Sequence, residues 1–140
     1  MPRKRKRLPR FKRSPCPIAN VLDILGDRWT LLVVRDLFRG MRLYREFAVS
    51  PEGIPTNILA ERLKRLEAAG IVVREPYQDR PVRYAYTLTK KGQDLLPVVA
   101  EIICWANTYI AGTATPEREL IERLLQARPE LRRNYTAGHT

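Results

Sequence analysis

Apolar residues recur every three or four positions through the first third of the chain, a spacing that predicts short helices. The first predicted helix runs from Pro17 to Gly26, and the second covers residues 28–38, which are apolar on nearly every side. A third helical segment covers residues 42–49 and leads into the turn-forming sequence SPEGIP. We therefore expect three short helices, the second of which is buried by its neighbours.

A fourth predicted helix begins at Pro55, a residue suited to the first helical position, and ends at Gly70, a typical C-terminal stop. Its leucines at positions 59, 63 and 66 fall on one stripe, which we expect to face the core. The opposite side carries Asn57, Ala60, Glu61, Lys64 and Ala68, with Thr56 and Arg65 on its flanks. This polar side is free to contact a partner.

Two runs of β-branched and aromatic residues follow the fourth helix and predict a β-hairpin. The runs cover residues 71–77 and 82–89, and the sequence QDRP joins them. Tyr84, Tyr86 and Leu88 alternate along the second run, so they should share one face of the hairpin.

Two further helices complete the predicted chain. A long helix covers residues 90–111, with Thr89 as its N-cap, and a last helix covers residues 116–127. The predicted fold class is mainly α with a small β-hairpin (α+β). Three helices, a hairpin and a helix in this order are the layout of a winged helix-turn-helix, here with a long C-terminal helix.

Positive charge is concentrated at the N-terminus of the chain. Lys and Arg number 26 against 15 Asp and Glu, which gives a net charge of +11 over 140 residues. Residues 3–13 carry eight positive charges and no negative one, so the rest of the chain has +3 (11 minus 8). We expect a basic flexible tail at 1–14, a winged helix-turn-helix domain at 15–112, and a C-terminal helix and tail at 113–140. The charge favours an anionic partner.

The cysteine and histidine content argues against metal sites and most enzyme classes. Cys16 and Cys104 are far apart with no export signal before them, so we expect reduced thiols in a soluble, cytoplasmic protein. The one histidine, His139, is next to the C-terminus, so neither a Cys/His metal cluster nor a histidine-dependent triad is expected. A thiol oxidoreductase would lack a Cys-X-X-Cys pair and a placed general base. We expect no metal, no cofactor and no membrane contact.

The polar side of the fourth helix suits the reading of double-stranded DNA. In a winged helix-turn-helix this helix enters the major groove, while the hairpin tip lies against phosphates. Asn57 can bond an adenine edge, with Thr56, Ala60 and Glu61 beside it. The expected phosphate partners are Lys64, Arg65, Arg80 and Arg83. Alternatively, this side is a solvated helix face, or the protein is a basic RNA-binding or ribosome-associated winged-helix protein, although exposed aromatics for base stacking are not evident.

Several blocks of the sequence resemble the HxlR-type transcriptional regulators over about residues 16–105. The block CPIANVLDILGDRW is similar to that family's opening through Cys16, Pro17, Gly26, Arg28 and Trp29. The turn, recognition-helix and wing blocks are similar through Glu46, Gly53, Ile54, Leu59, Leu63, Leu66, Glu67, Gly70, Arg74, Arg83, Tyr86, Leu88, Thr89 and Gly92. Pro55 and Ala85 depart from the family, which often has a small polar and an acidic residue there.

The resemblance implies a homodimeric DNA-binding repressor or activator that reads an inverted repeat through paired subunits. The expected pairing residues are Ile18 and Leu22 on the first helix and Val98, Ile102 and Trp105 on the long helix, which becomes a dimerisation helix. The long helix also has more apolar surface than three helices and a hairpin can cover, which favours a partner independently. Alternatively, the last helix folds back over this surface.

Cys16 is the candidate sensor of oxidants or electrophiles, because the cysteine of the Cys-Pro pair is redox-reactive in some members of the family. The unpaired amides at a helix start favour a thiolate there. Alternatively, Cys16 is only a small interface residue, and the effector is a small molecule that the sequence does not identify. Trp29 is expected in the core and Cys104 as a buried, inert thiol.

Overall fold

The computed structural model describes residues 11–115, 117–127 and 129–131. Its helices are α1 (Pro17–Leu25), α2 (Thr30–Phe38), α3 (Tyr44–Ala48), α4 (Thr56–Ala68), α5 (Lys90–Gln93), α6 (Leu96–Tyr109) and α7 (Arg118–Ala127), followed by a 3-10 turn (Pro129–Leu131). Strands β1 (Val72–Asp79) and β2 (Val82–Leu88) pair in an antiparallel hairpin. The predicted fold class is confirmed. The parts of the predicted tails at residues 1–10 and 132–140, and Pro116 at the expected start of the last helix, lie outside the described residues.

The core forms around α2, as its apolar sequence predicts. The completely buried apolar side chains are Val34 on α2, Phe47 on α3, and Leu59 and Leu66 on α4. Helix α6 adds Leu96, Val99 and Ala100, and α7 adds Leu124. Burial of one leucine side chain contributes about 1.5–3 kcal/mol, so the leucine stripe fixes which side of α4 faces solvent. Trp29 is half-buried against this core.

None of the helices in the described ranges is long and apolar enough to cross a membrane.

The hairpin is anchored to the helices near its base. Its register pairs Val72 with Leu88 at the base and Asp79 with Val82 near the tip. Leu43 forms an isolated antiparallel bridge with Ala85, and the amide of Tyr86 donates to the Arg42 carbonyl at 2.8 Å. The Tyr86 ring meets Phe47 edge-on at a centroid distance of 6.3 Å. The hairpin is therefore fastened to the segment that leads into α3.

Two glycines allow the end of α4 and the start of α5 to lie close together. Gly70 has a φ of +73°, in the left-handed region that closes a helix, and the Ile71 amide returns to the Leu66 carbonyl at 2.9 Å. A Cβ on Gly92 would lie 2.2 Å from the Ile71 carbonyl oxygen, so the close approach of these segments requires glycine there. Thr89 caps α5 as predicted, because its hydroxyl accepts from the Gly92 amide at 3.1 Å.

The predicted long helix at 90–111 is wrong at its start, because Pro97 divides it. The structure has the short α5, a turn, and then α6 from Leu96. Pro97 has no N–H to donate to the Gln93 carbonyl, so an unbroken helix would lose this bond. The Leu95 amide instead makes a tighter bond to the Gly92 carbonyl at 3.1 Å.

Three other boundaries also differ from the prediction. Helix α2 begins at Thr30 rather than at residue 28, because the Asp27 carboxylate accepts from the amides of Trp29 and Thr30. Pro55 is the N-cap of α4 rather than its first residue, since its ψ of 142° is extended. Helix α3 starts at Tyr44 because Leu43 is used in the bridge to β2.

Helix α7 packs against the C-terminal end of α2. The Arg123 guanidinium donates to the Phe38 carbonyl at 2.9 Å, and Arg39 lies 3.1 Å from Glu117. Leu124 is only 1% exposed. This position leaves Ile102 and Trp105 of α6 uncovered, with 49% and 61% exposure. The alternative that the last helix covers this apolar surface is therefore wrong for Ile102 and Trp105, although α7 contacts another side of α6.

Candidate nucleic-acid interface

The polar side of α4 faces solvent along its whole length. Leu59, Leu63 and Leu66 are at most 2% exposed, which turns the opposite side outward. The predicted DNA-binding residues of this helix are all exposed: Thr56, Asn57, Ala60, Glu61, Lys64 and Arg65. Their exposure agrees with the expected face, and their contact with DNA stays a prediction.

The first turn of α4 is held by a tyrosine from α3. The Tyr44 hydroxyl donates to the Thr56 carbonyl at 2.6 Å, and Ile54 just before the helix is buried. The Tyr44 side chain is 36% exposed and reaches across to α4. The sequence pattern missed this role, since a carbonyl partner twelve residues away leaves no periodic signal.

A charged cluster fixes the turn between α3 and α4. Arg35 of α2 binds Glu52 at 2.6 and 2.9 Å, and the Ser50 hydroxyl donates to the buried Asp36 carboxylate at 2.9 Å. The hydrogen bonds from Arg35 lower the pKa of Glu52 from 4.5 to about 2, against the opposing effect of burial. The same bond raises the pKa of Arg35, so both groups stay charged at any physiological pH.

Asp27 links the start of α2 to α4. Its carboxylate accepts from the Trp29 and Thr30 amides at 2.8 and 3.0 Å, from the Thr30 hydroxyl, and from Arg62 at 3.1 Å. Burial acts to raise the pKa of Asp27, but these hydrogen bonds together hold it well below its ordinary value. Sequence reasoning passed over Asp27, although an aspartate directly before an apolar run is a known N-cap signal.

Two of the predicted contact residues are already paired in the free protein. Glu61 binds Arg65 at 2.9 Å and also contacts Arg62, while Arg65 lies 3.7 Å from Asp27. Lys64 makes no ion pair with any residue of the described ranges. Lys64 can therefore bind a phosphate without first losing an ion pair. Glu61 and Arg65 must first break the ion pair between them.

A further arginine, Arg45 of α3, lies beside the predicted phosphate contacts of the hairpin. Arg80 lies at the hairpin tip, joined to Pro81 by a cis peptide bond, and Arg83 is exposed on β2. Arg83 and Arg45 of α3 line one open groove of about 290 Å³, together with Tyr44. Because Tyr44 also binds the start of α4, this groove connects the hairpin to α4. Arg45 was not among the predicted residues.

The predicted pairing residues are exposed on α1 and α6. Their exposures are 71% for Ile18, 52% for Leu22, 42% for Val98, 49% for Ile102 and 61% for Trp105. On α6 the three lie at helical spacing, and Tyr109 extends the row with its ring 5.3 Å from that of Trp105. Side chains this large and apolar rarely form an exposed row in a monomer.

The two cysteines differ in accessibility. Cys16 is exposed at the N-cap of α1, and Cys104 is half-buried on α6 rather than fully buried as expected. Arg13 precedes Cys16 by three residues, and its guanidinium is bound to Asp23 and to the Ala19 carbonyl, both at 3.0 Å. The positive charge of Arg13 is thus partly neutralised by the Asp23 carboxylate.

Comparison with known proteins decides the family. A family model described as HxlR-like helix-turn-helix matches residues 24–114, well over half of the chain. The chain belongs to this family. It is therefore a DNA-binding transcriptional regulator and not an enzyme. Cys16, most of α1 and the whole of α7 lie outside the matched residues.

Individual relatives agree with this assignment. An uncharacterized HTH-type transcriptional regulator, YvaP from Bacillus subtilis (strain 168), is 37% identical over 102 residues, which cover 73% of this chain and 88% of that protein. The reduced form of the transcriptional regulator YodB from B. subtilis superposes with a TM-score of 0.59 at 34% identity, covering 72% of this chain and all of YodB. The redox regulator HypR in its reduced form gives a TM-score of 0.61 at 31% identity, covering 66% of this chain and 92% of HypR.

Proposed function

We propose that this regulator binds specific double-stranded DNA sites by placing the exposed face of α4 in the major groove. The observation that carries the proposal is the exposed polar face of α4, a helix that Tyr44 holds at its start and Asp27 holds near its middle through Arg62. Glu61 and Arg65 on this face are ion-paired, whereas the side chains of Asn57 and Lys64 form no ion pair within the described residues. We assign Asn57 to a base edge and Lys64 to a base or phosphate.

The hairpin supplies the second contact with the duplex. Arg80 at the hairpin tip, and Arg83 and Arg45, which line one groove, are the three cations that we expect to contact phosphates here. Contacts of this kind position the protein on phosphates without reading sequence. We therefore expect substitution of these arginines to weaken binding to all duplexes about equally.

Selection of bound sequences from random duplexes tests this proposal. The purified protein should recover a defined motif, and labelled duplex carrying that motif should be displaced by unlabelled duplex DNA but not by RNA of the same sequence. Recovery of no motif, or equal competition by RNA, would favour the alternative of a basic RNA-binding protein.

We propose further that the protein acts as a homodimer on an inverted repeat. The exposed apolar row on α6 and the exposed Ile18 and Leu22 on α1 support pairing through these helices. Two half-sites read by a symmetric dimer are expected about one helical turn of DNA apart, or a multiple of it. The recovered motif should then be palindromic.

A charge placed in the apolar row tests the dimer. Ile102→Glu should convert a dimer of wild-type protein into a monomer in light scattering after gel filtration, because a carboxylate would be buried at the interface. Val73→Glu is the matched control, since Val73 is similarly exposed, at 46%, but lies on the hairpin. A monomeric wild-type protein, or a variant that stays dimeric, would refute pairing through this row.

Cys16 is our proposed site of response to oxidants or electrophiles. Its support is the exposed thiol at the N-cap of α1, together with relatives that include a redox regulator. An adduct on Cys16 would lie on the helix that carries Ile18 and Leu22, and so beside the proposed dimer contact. Modification should therefore change the relative position of the two DNA-reading helices.

Treatment with diamide separates a sensor from a structural thiol. Wild type and Cys104→Ser should lose affinity for the recovered site, while Cys16→Ser should keep it. If mass spectrometry shows modified Cys16 and affinity is unchanged, Cys16 is not the sensor.

A further inference from the structure

A cavity that is open to solvent on one side, of about 420 Å³, lies between the C-terminal end of α2, the hairpin, α5, the start of α6 and α7. It is separate from the apolar row of α6 and from the exposed face of α4. Ligand-binding pockets generally have volumes of about 300–1,000 Å³, so this space accommodates a small organic molecule. DNA binding, dimerisation and the response of Cys16 do not involve this cavity.

The inner wall of this cavity is apolar. Leu37 and Phe38 at the end of α2 and Leu96 at the start of α6 line it, each with 7% exposure. Met41 and Leu88 complete the wall and are half-buried. An apolar body that displaced water from this wall would gain about 25 cal/mol for each Å² of apolar surface buried.

Three cationic residues surround the wall. Arg42, Lys90 and Arg123 all line the cavity, with Asp94 as the one acidic residue among its lining. Lys90 and Asp94 are paired at 2.5 Å. The charge of the lining is therefore +2. It is carried by Arg42 and Arg123, and Arg123 is also ion-paired at 3.3 Å with Glu119, which does not line the cavity. A planar guanidinium is suited to bind a carboxylate.

Arg123 is already oriented by its surroundings. One of its nitrogens donates to the Phe38 carbonyl at 2.9 Å, and another lies 3.3 Å from Glu119. An arginine has five N–H donors, so these two contacts leave further donors for a ligand. Since α7 lies beyond the matched residues 24–114, this side of the cavity is an addition to the family's helix-turn-helix region.

We propose that this cavity is a binding site for a hydrophobic monocarboxylate, whose apolar body lies against Leu37, Phe38 and Leu96 and whose carboxylate meets Arg123 and Arg42. The site contacts both α7 and the residues that fasten the hairpin, because Arg42 and Tyr86 line it and are joined by a backbone hydrogen bond. Binding would therefore stabilise the packing of α7 against the winged helix.

Calorimetric titration of the full-length protein with naphthoate, in the absence of DNA, tests the site separately from DNA binding. Naphthoate should bind and raise the melting temperature, and the neutral analogue naphthylmethanol should bind at least about tenfold more weakly, because it lacks a charge-assisted partner for the arginines. Absence of binding by naphthoate, or equal binding by the alcohol, overturns the proposal.

Two substitutions locate the binding. Arg123→Gln should weaken naphthoate binding by about tenfold or more. Arg118→Gln is its matched control, because it removes the same charge from the same helix at a residue that pairs with Glu122 and does not line the cavity; its affinity should stay within about twofold of wild type. Arg42→Gln provides a second test should Arg123→Gln unfold. Unchanged affinity in both folded arginine variants contradicts the assignment.

Discussion

Glu52 makes the stability of the turn before α4 depend on pH in the acid range. Arg35 holds the pKa of Glu52 at about 2 in the folded protein, below its ordinary value of 4.5. A carboxylate with a lowered folded-state pKa stabilises the fold above its ordinary pKa, and this stabilisation is lost as the pH falls toward the folded value. The window for Glu52 is therefore about pH 4.5 down to 2.

Substitution of Glu52 tests this window. The difference in free energy of unfolding between wild type and Glu52→Gln should be constant above about pH 5 and should shrink as the pH falls toward 2. Urea titrations at a series of pH values measure it, with Glu75→Gln on the exposed strand β1 as the control. A difference that stays constant through the acid range would contradict the Arg35–Glu52 interaction.

The burial of residues at helical spacing could be predicted from the sequence. The contacts between side chains of different elements could not. The leucines at 59, 63 and 66 are buried as their spacing predicts. The Tyr44 bond to Thr56, the Asp27 bond to Arg62 and the groove that contains Arg45 each join residues from different elements. Such contacts depend on how the elements pack, which no local pattern encodes.

At the scale of the element, Asp27 has two separable functions. It caps α2 through backbone amides, and it pairs with Arg62, whose side chain is only 17% exposed. Asp27→Asn keeps the cap and removes the charge, whereas Asp27→Ala removes both. Loss of a cap costs about 0.5–2 kcal/mol, and a partly buried arginine without its partner adds to that cost.

Chemical denaturation should therefore rank the two variants. We expect Asp27→Ala to lose more stability than Asp27→Asn, and Asp27→Asn to lose more than the exposed control Asp79→Asn on the hairpin. If Asp27→Asn matched that control, the ion pair to Arg62 would contribute nothing to the position of α4.

The long C-terminal helix shows why element boundaries were harder to predict than elements. Apolar spacing correctly indicates a helix in this region. It takes no account of the missing N–H of Pro97, so it predicts one helix where the structure has α5 and α6. The prediction that this helix has more apolar surface than the rest of the chain covers is correct, because Val98, Ile102 and Trp105 are exposed in the presence of α7.

For the whole molecule, the N-terminal basic tail should set the salt dependence of DNA binding. Residues 1–12 carry seven of the eight positive charges of this tail, and the eighth, Arg13, is bound to Asp23 on α1. Each phosphate contact contributes about 0.9 to the slope of log affinity against log salt concentration. Replacement of residues 1–12 by a Gly-Ser segment of equal length should make this slope shallower and leave sequence preference unchanged. An unaltered slope would show that the tail does not touch DNA.

The measurement that bears most directly on the assigned function is the discrimination of one site by the exposed face of α4. A variant with Asn57→Ala, Glu61→Ala and Lys64→Ala has an unchanged net charge, as does the control Arg118→Ala with Glu122→Ala on α7. Titrations at fixed salt against the selected duplex and a scrambled one give the ratio of affinities for each protein. We expect the control to keep the wild-type ratio and the α4 variant to lose about 1–3 kcal/mol of discrimination for each base contact removed. A folded α4 variant with the wild-type ratio would show that α4 does not read the DNA sequence.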